Sequence, residues 1–371
     1  MTSAMKFYIK RKLGEKQKAS YLLSAYLPSL LIFIVLLLLV FITVIVYSMG
    51  LQTTEIVEVL GSGSILSYQK STTTEAEVFE VKEGQGLGYG TEETLLLNLK
   101  GVDEEFFTPR KLKVLSLEGA LKEGRSIILS KLQADKLNLK LGDKIVVALY
   151  ESNKARVRPV YCEITGLYST GYGEFDLNLA YVPRSLLTEE SQYEILLPYG
   201  VDNTSLYKEL SLEGLLVERY QVLYKGLLDN ILLSVRLINL IVVIIAFVAG
   251  FFALNIATEY ISRDKKAIKS LYLMGFSNRE VTVVYQNLSL SVTMISAILG
   301  GLIGLLFSFL AVKVLGSLNP LTFPVLTNYV TNFSIRLPYL SLALIYLALL
   351  LVSYFSLYFS LRGVGRGRSL L

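Results

Sequence analysis

Few residues in this chain are able to do covalent or metal chemistry. Histidine and tryptophan are absent, and Cys162 is the single cysteine. That composition excludes Ser-His-Asp and Cys-His triads, imidazole acid–base catalysis, histidine metal ligation, intramolecular disulfides and thiolate metal clusters. A catalytic role would rest on carboxylates, lysine or tyrosine. Glu174 and Asp176 come nearest to a carboxylate pair, and no spacing motif surrounds them. Gly119-Ala-Leu-Lys-Glu-Gly124-Arg125-Ser126 is one residue away from a phosphate-binding loop. Arginine stands where that loop needs lysine, and a strand pattern follows where it needs a helix. Gly84-Gln-Gly86-Leu-Gly88-Tyr-Gly90 lacks the spacing of a dinucleotide site and reads as a flexible loop. No catalytic, cofactor or metal site is predicted.

Two other groupings carry a physical signal. The first is Asn255–Glu280 (NIATEYISRDKKAIKSLYLMGFSNRE). At helical spacing Ile261, Ile268, Leu271 and Tyr272 share one face, and Arg263, Lys265, Lys266 and Lys269 spread over the rest. Gly275 is a natural stop, and Ser277 with Glu280 forms a capping box for the next helix. Such a helix either lies on anionic lipid or is offered to a cytoplasmic partner. The second grouping is Ser296, Gly300, Gly304 and Ser308, each four apart, a small-residue stripe that lets another helix approach closely. The facing partner is either a second copy or the span that carries Ala246, Gly250 and Ala253.

These groupings sit in a chain of membrane composition. Of 371 residues 53% are hydrophobic and 18% charged, with a mean hydropathy of +0.51. Four runs are long enough to cross a bilayer: 29–49, 231–257, 281–312 and 338–361. The first is too long and starts too late for a secretory signal. Arg236 near the start of the second lies within snorkelling reach of the interface. The net charge of +5 comes from cations beside these runs, so it sets topology and does not indicate nucleic-acid binding. Lys6, Lys10, Arg11, Lys12, Lys16 and Lys18 precede the first run, Arg263–Arg279 separates the second from the third, and Arg362, Arg366 and Arg368 follow the fourth. Placing all of them inside makes 1–28, 258–280 and 362–371 cytoplasmic, and 50–230 and 313–337 external.

The external region predicts a mixed α+β domain. Strand patterns occur at Ile56–Leu60, Ala76–Val81, Arg125–Leu129, Lys144–Tyr150, Val157–Tyr168 and Leu177–Val182. Ser130–Leu139 reads as a helix capped by Ser130, with a turn at Leu141-Gly142-Asp143. From Thr204 to Asp229 a helical pattern runs into the second span as a stalk. The expected architecture is therefore a four-helix membrane protein with a large α+β extracytoplasmic domain between helices 1 and 2.

This layout resembles the FtsX-like and MacB-like ABC transporter permeases. Arg263-Asp-Lys-Lys-Ala-Ile-Lys-Ser-Leu-Tyr-Leu-Met-Gly275-Phe-Ser is similar to that family's cytoplasmic segment, and Gly300-Gly301-Leu-Ile-Gly304 to its glycine-rich third span. Ile127–Asp143 and Ile164–Asp176 are most similar to the lipoprotein-releasing permeases LolC and LolE. The resemblance implies a multi-pass protein of the inner membrane with both termini cytoplasmic and no ATPase activity of its own. It implies a cytoplasmic ABC ATPase dimer as partner, bound through a coupling helix carrying Arg263, Lys266, Ile268, Leu271, Met274 and Gly275. It implies a second permease chain, homo- or heteromeric, and lipoprotein release with a periplasmic carrier. The alternatives are an FtsX-type transmitter regulating a cell-wall hydrolase and a MacB-like exporter component. Lys265-Lys266-Ala267-Ile268 lacks the family's glutamate before the isoleucine, and the C-terminal tail lacks its usual arginine–proline pattern. The loop between Tyr150 and Tyr161 is shorter than the carrier-gripping hook of LolC, which suits a LolE-like role or a different substrate.

Overall fold

A computed structural model describes residues 19–70, 76–91, 93–151, 155–318, 321–323, 326 and 329–366. The cations before Ala19, Arg368 and the middle of the short loop after Glu151 lie outside the described residues. Two compact units emerge: Ser48–Leu232 with Val312–Ser334, and the helices built from the remaining segments.

The first unit is the α+β domain. Helix α1 (Ala19–Ile56) continues as a π-helical turn, Val57–Ser62. Then come β1 (Ile65–Ser67), β2 (Glu77–Tyr89), β3 (Thr94–Val102), α2 (Pro109–Val114), β4 (Ser116–Gly119), β5 (Ser126–Ser130) and α3 (Lys131–Leu137). They are followed by β6 (Lys144–Glu151), β7 (Arg156–Ser169), α4 (Gly173–Asn178), β8 (Leu179–Pro183), β9 (Ser191–Leu196), α5 (Thr204–Leu212), β10 (Val217–Arg219) and α6 (Tyr220–Leu223). The strands form one ten-stranded sheet in the order β10-β1-β9-β2-β3-β8-β5-β7-β4, with β6 joining β2 to β7. That last pairing closes β2, β3, β8, β5, β7 and β6 into a ring. Leu97, Leu99, Ile127, Leu129, Ile145, Val147, Val160, Cys162, Ile164, Ala180 and Val182 fill it from alternate strand positions.

Local chemistry explains several elements. Ser130 caps α3: its Oγ accepts from Gln133 N at 2.9 Å, and Gln133 Oε1 accepts from Ser130 N at 2.9 Å. A cap of this kind contributes about 1 kcal/mol. Gly142, at φ +89°, makes the turn into β6.

Three expectations need correction. The glycine-rich run Gly84–Gly90 is mostly strand β2 and not a flexible loop. A Cβ at Gly86 would meet Val147 Cγ1 at 3.0 Å, and one at Gly88 would meet Leu97 Cδ1 at 2.8 Å. Glycine is thus needed there for close packing inside the ring. Ile56–Leu60 is helical, because the α-helix ending at Ile56 continues directly into the π-helical turn Val57–Ser62. The stalk from Thr204 to Asp229 is interrupted by β10, which pairs with β1 through Ile65↔Arg219 and Ser67↔Val217.

The second unit is helical: α7 (Lys225–Arg263), α8 (Lys265–Leu273), α9 (Asn278–Ser317) and α10 (Tyr339–Arg366), together with α1. Ile32, Leu36, Leu39, Ala249, Ala297, Ile345 and Leu349 form its core. Among the described residues three helical stretches are long and apolar enough to cross a membrane: Ser29–Ser62, Lys225–Phe252 and Arg279–Ser317. Tyr339–Phe355 is a shorter apolar helix.

Candidate coupling helix and the contacts that connect it

Helix α8 is fastened to the start of α9. Ile268, Leu271 and Phe276 pack on Val281 and Tyr285. Tyr285 Oη donates to Asp264 Oδ2 at 3.0 Å, and both side chains are buried. The turn between the helices is closed by Gly275, at φ +87°, and Phe276 N donates to Leu271 O at 3.1 Å. Ser277 caps α9: its backbone N donates to Glu280 Oε2 at 2.9 Å, while its Oγ accepts from Glu280 N at 3.3 Å.

The apolar pair Ile268 and Leu271 is therefore turned toward its own chain. The outward surface of α8 carries Lys265, Lys266 and Lys269, with Leu273 82% and Met274 70% exposed at its end. Arg263 ends α7, and its side chain is not among those described. Of the residues expected to meet a partner, Lys266 and Met274 face outward, Ile268 and Leu271 face α9, and Gly275 shapes the turn.

The small-residue stripe faces α1. A Cβ at Gly300 would collide with the Phe33 carbonyl oxygen, and one at Gly304 would lie 2.6 Å from that of Leu37. Gly300 and Gly304 are buried, Ser308 is fully buried and donates back to Gly304 O at 3.0 Å, and Ser296 is half-buried. Gly250 instead abuts Val352 of α10. The close partner is thus the first helix, in place of the span carrying Gly250 or a second copy. Sequence spacing locates such a stripe without saying which helix fills it.

Two further groups escaped sequence reasoning. The first anchors the end of α1 in the α+β domain. Lys100 Nζ donates to Leu60 O at 2.7 Å and to Gly61 O at 2.6 Å, and it pairs with Glu194. Lys111 Nζ lies 3.2 Å from Glu194 Oε2 and 3.2 Å from the Phe106 ring centroid. All three charged side chains are essentially inaccessible to solvent. Burial pulls the Lys111 ammonium down to about 7; Lys100 acts the same way, and Glu194 opposes it. A cation at the carbonyl end of a helix is favourable, since the last carbonyls there lack partners. The second group ties the segment between α9 and α10 to the domain. Thr331 N donates to Gly171 O at 2.7 Å, Tyr172 bridges to Val330, and a Cβ at Gly171 would meet Asn332 Cβ at 2.8 Å. Asp176 holds that loop, accepting from Thr170 N at 2.9 Å and from Thr170 Oγ1 at 2.7 Å. Burial pushes its carboxyl up to about 6 against those hydrogen bonds. Asp176 and Glu174 thus serve as a loop brace and a tyrosine acceptor, with Tyr172 Oη donating to Glu174 Oε2 at 2.6 Å.

Comparison with known proteins identifies one part of the chain. Residues 239–367 match the family described as FtsX-like permease C-terminal. This region is similar to the C-terminal domain of FtsX-like permeases. It contains α8, α9, α10 and most of α7. A search of curated proteins finds no match. Among solved structures, a domain of a Porphyromonas gingivalis protein described as a permease aligns at 15% identity and a TM-score of 0.27, over 40% of this chain and 70% of that one. The extracellular domain of the noncanonic ABC-type transporter YknZ from Gram-positive bacteria aligns at 16% identity and a TM-score of 0.26, over 42% of this chain and 97% of that one.

Proposed function

We propose that the chain is the permease subunit of an ABC-type transporter, driven by a separate cytoplasmic ATPase through α8. The observation that carries this reading is the mounting of α8. Asp264, Ile268 and Leu271 fix it to α9, while Lys266, Lys269, Leu273 and Met274 are left outward. A short helix rigidly attached to a long apolar one, within a permease domain, is suited to receive force from a docked partner. The cation-rich segments favour an orientation with α8 and both termini on the cytoplasmic side and the α+β domain outside.

In this reading four helices cross the membrane, α10 completing the set. Two permease chains, identical or not, pair with two ATPase chains. Force leaves the helices at two places: the carbonyl end of α1, held by Lys100, and the 330–332 segment, held by Gly171. Lipoprotein release is the cargo reading favoured by the domain. The two segments similar to LolC and LolE pack together, with Ser130 Oγ donating to Asp176 O and Gln133 Nε2 lying 3.1 and 3.0 Å from the carbonyls of Leu177 and Leu179.

Leu273→Asp and Met274→Asp would place a carboxylate in the ATPase cleft, where desolvation costs a few kcal/mol and affinity falls by orders of magnitude. The expected result is loss of the co-purifying ATPase at matched permease levels, with unchanged membrane insertion. Retention of the ATPase by both variants at wild-type stoichiometry overturns the assignment and leaves α8 as a lipid-surface helix.

A further inference from the structure

The α+β domain contains a cavity of about 550 Å³. This is the size of sites that take small organic ligands. Its floor is apolar: Val57 and Leu60 from the turn that ends α1, Leu99 from β3, Phe175 from α4, Leu179 from β8 and Leu227 from the start of α7. Tyr172 and Tyr224 stand in its walls. Its rim is polar and of one sign. Glu83, Gln85, Asn98, Glu174 and Asn178 line it and are exposed. Among the lining residues Lys100 is the single cation, and it is spent: its ammonium is buried against Glu194 and the carbonyls of Leu60 and Gly61. Burial raises the Tyr224 phenol and the charge of Glu83 raises it further. Burial likewise raises Tyr172, followed by its hydrogen bond to Glu174 and that carboxylate's charge.

We propose that this cavity binds an amphiphilic organic cation, whose apolar body lies on the floor and whose charged head sits between the rim carboxylates Glu83 and Glu174. Water release from the floor supplies the affinity, and the rim supplies the preference for positive charge. An anionic amphiphile would meet the same floor with no accessible counter-charge among the lining residues. The occupant touches the end of α1 and the start of α7, and Tyr172, whose backbone bridges to Val330, as well. Occupancy would therefore be felt at the end of α1, at the start of α7 and at the segment bridged through Val330. The site goes beyond the ATPase-coupling reading and does not depend on it.

The test uses the full chain in phosphatidylcholine nanodiscs, with rhodamine 6G as the cationic probe and fluorescein as the anionic one, read by fluorescence anisotropy against empty nanodiscs. Saturable rhodamine binding is expected, with no saturable fluorescein binding. Glu83→Gln combined with Glu174→Gln is expected to weaken rhodamine about tenfold and to remove most of its salt dependence, two exposed carboxylates contributing a few-fold each. Phe175→Ala is expected to weaken it with the salt dependence retained. Circular dichroism checks that the double variant, which changes exposed side chains alone, stays folded. Equal saturable binding of fluorescein, or wild-type rhodamine affinity in the double variant, overturns the proposal.

Discussion

The α+β domain and the membrane helices both bring backbone into close contact, and they do it by opposite means. In the domain the end of α1 is held by a buried side-chain charge, Lys100, balanced by Glu194. In the helical unit α9 reaches α1 by having no side chain at Gly300 and Gly304. The surroundings account for the difference. A water-facing domain with a closed ring of strands has an interior in which ions can be mutually satisfied. A helix pair in lipid gains nothing from apolar burial against its neighbour, so association rests on contact distance. The outward residues agree: Leu240, Phe247, Leu302 and Leu306 are all more than half exposed on helices of the second unit.

This contrast breaks most decisively at Glu194. Glu194→Ala leaves Lys100 and Lys111 buried without a counter-charge, and a loss of about 3–5 kcal/mol in domain stability is expected. Thermal unfolding followed by circular dichroism reads it, and a change below about 1 kcal/mol would mean that the cluster is not what holds the end of α1.

The glycine contacts come next. Gly300→Leu or Gly304→Leu forces side-chain atoms into the α1 backbone, at a cost of about 1–3 kcal/mol in helix packing. Ile303→Leu, at a half-buried neighbouring position, is expected to stay within about 0.5 kcal/mol. Equal tolerance at all three positions, measured by unfolding in detergent, would place the stripe against lipid.

The smallest effect at neutral pH belongs to Lys111. Lys111→Met leaves Lys100 and Glu194 charge-balanced. In the wild type burial depresses the Lys111 ammonium to about 7 from 10.5, with Glu194 and Glu77 opposing the shift and Lys100 adding to it. The unfolded chain therefore binds the extra proton between those values. The stability tied to this group is present above about 10.5 and is lost as pH falls to about 7. Wild-type stability should rise with pH across that window, and Lys111→Met should flatten the rise. An unchanged slope in the variant would assign it to other groups.

Local rules made much of the molecule legible. The Ser130 cap, the Gly142 turn, the Ser277–Glu280 box and most strands follow from neighbours a few residues apart. What stayed hidden depends on distant partners. The glycines of β2 look like a loop until Val147 and Leu97 are packed against them. Lys100 and Lys111 look like ordinary surface lysines until Glu194 arrives from β9. At α8, periodicity found the apolar face carrying Ile268 and Leu271, but it could not distinguish a face meant for another protein from one meant for α9.

Cys162 lies at 1% exposure inside the strand ring, and burial pushes its thiol up to about 11. At neutral pH its reactive thiolate is much scarcer than that of an ordinary cysteine. The protein is in effect silent to thiol reagents while folded. A reporter cysteine placed at an exposed position such as Lys266 or Leu87 can be read in the native background, and any labelling of Cys162 itself becomes a sensor of the ring opening.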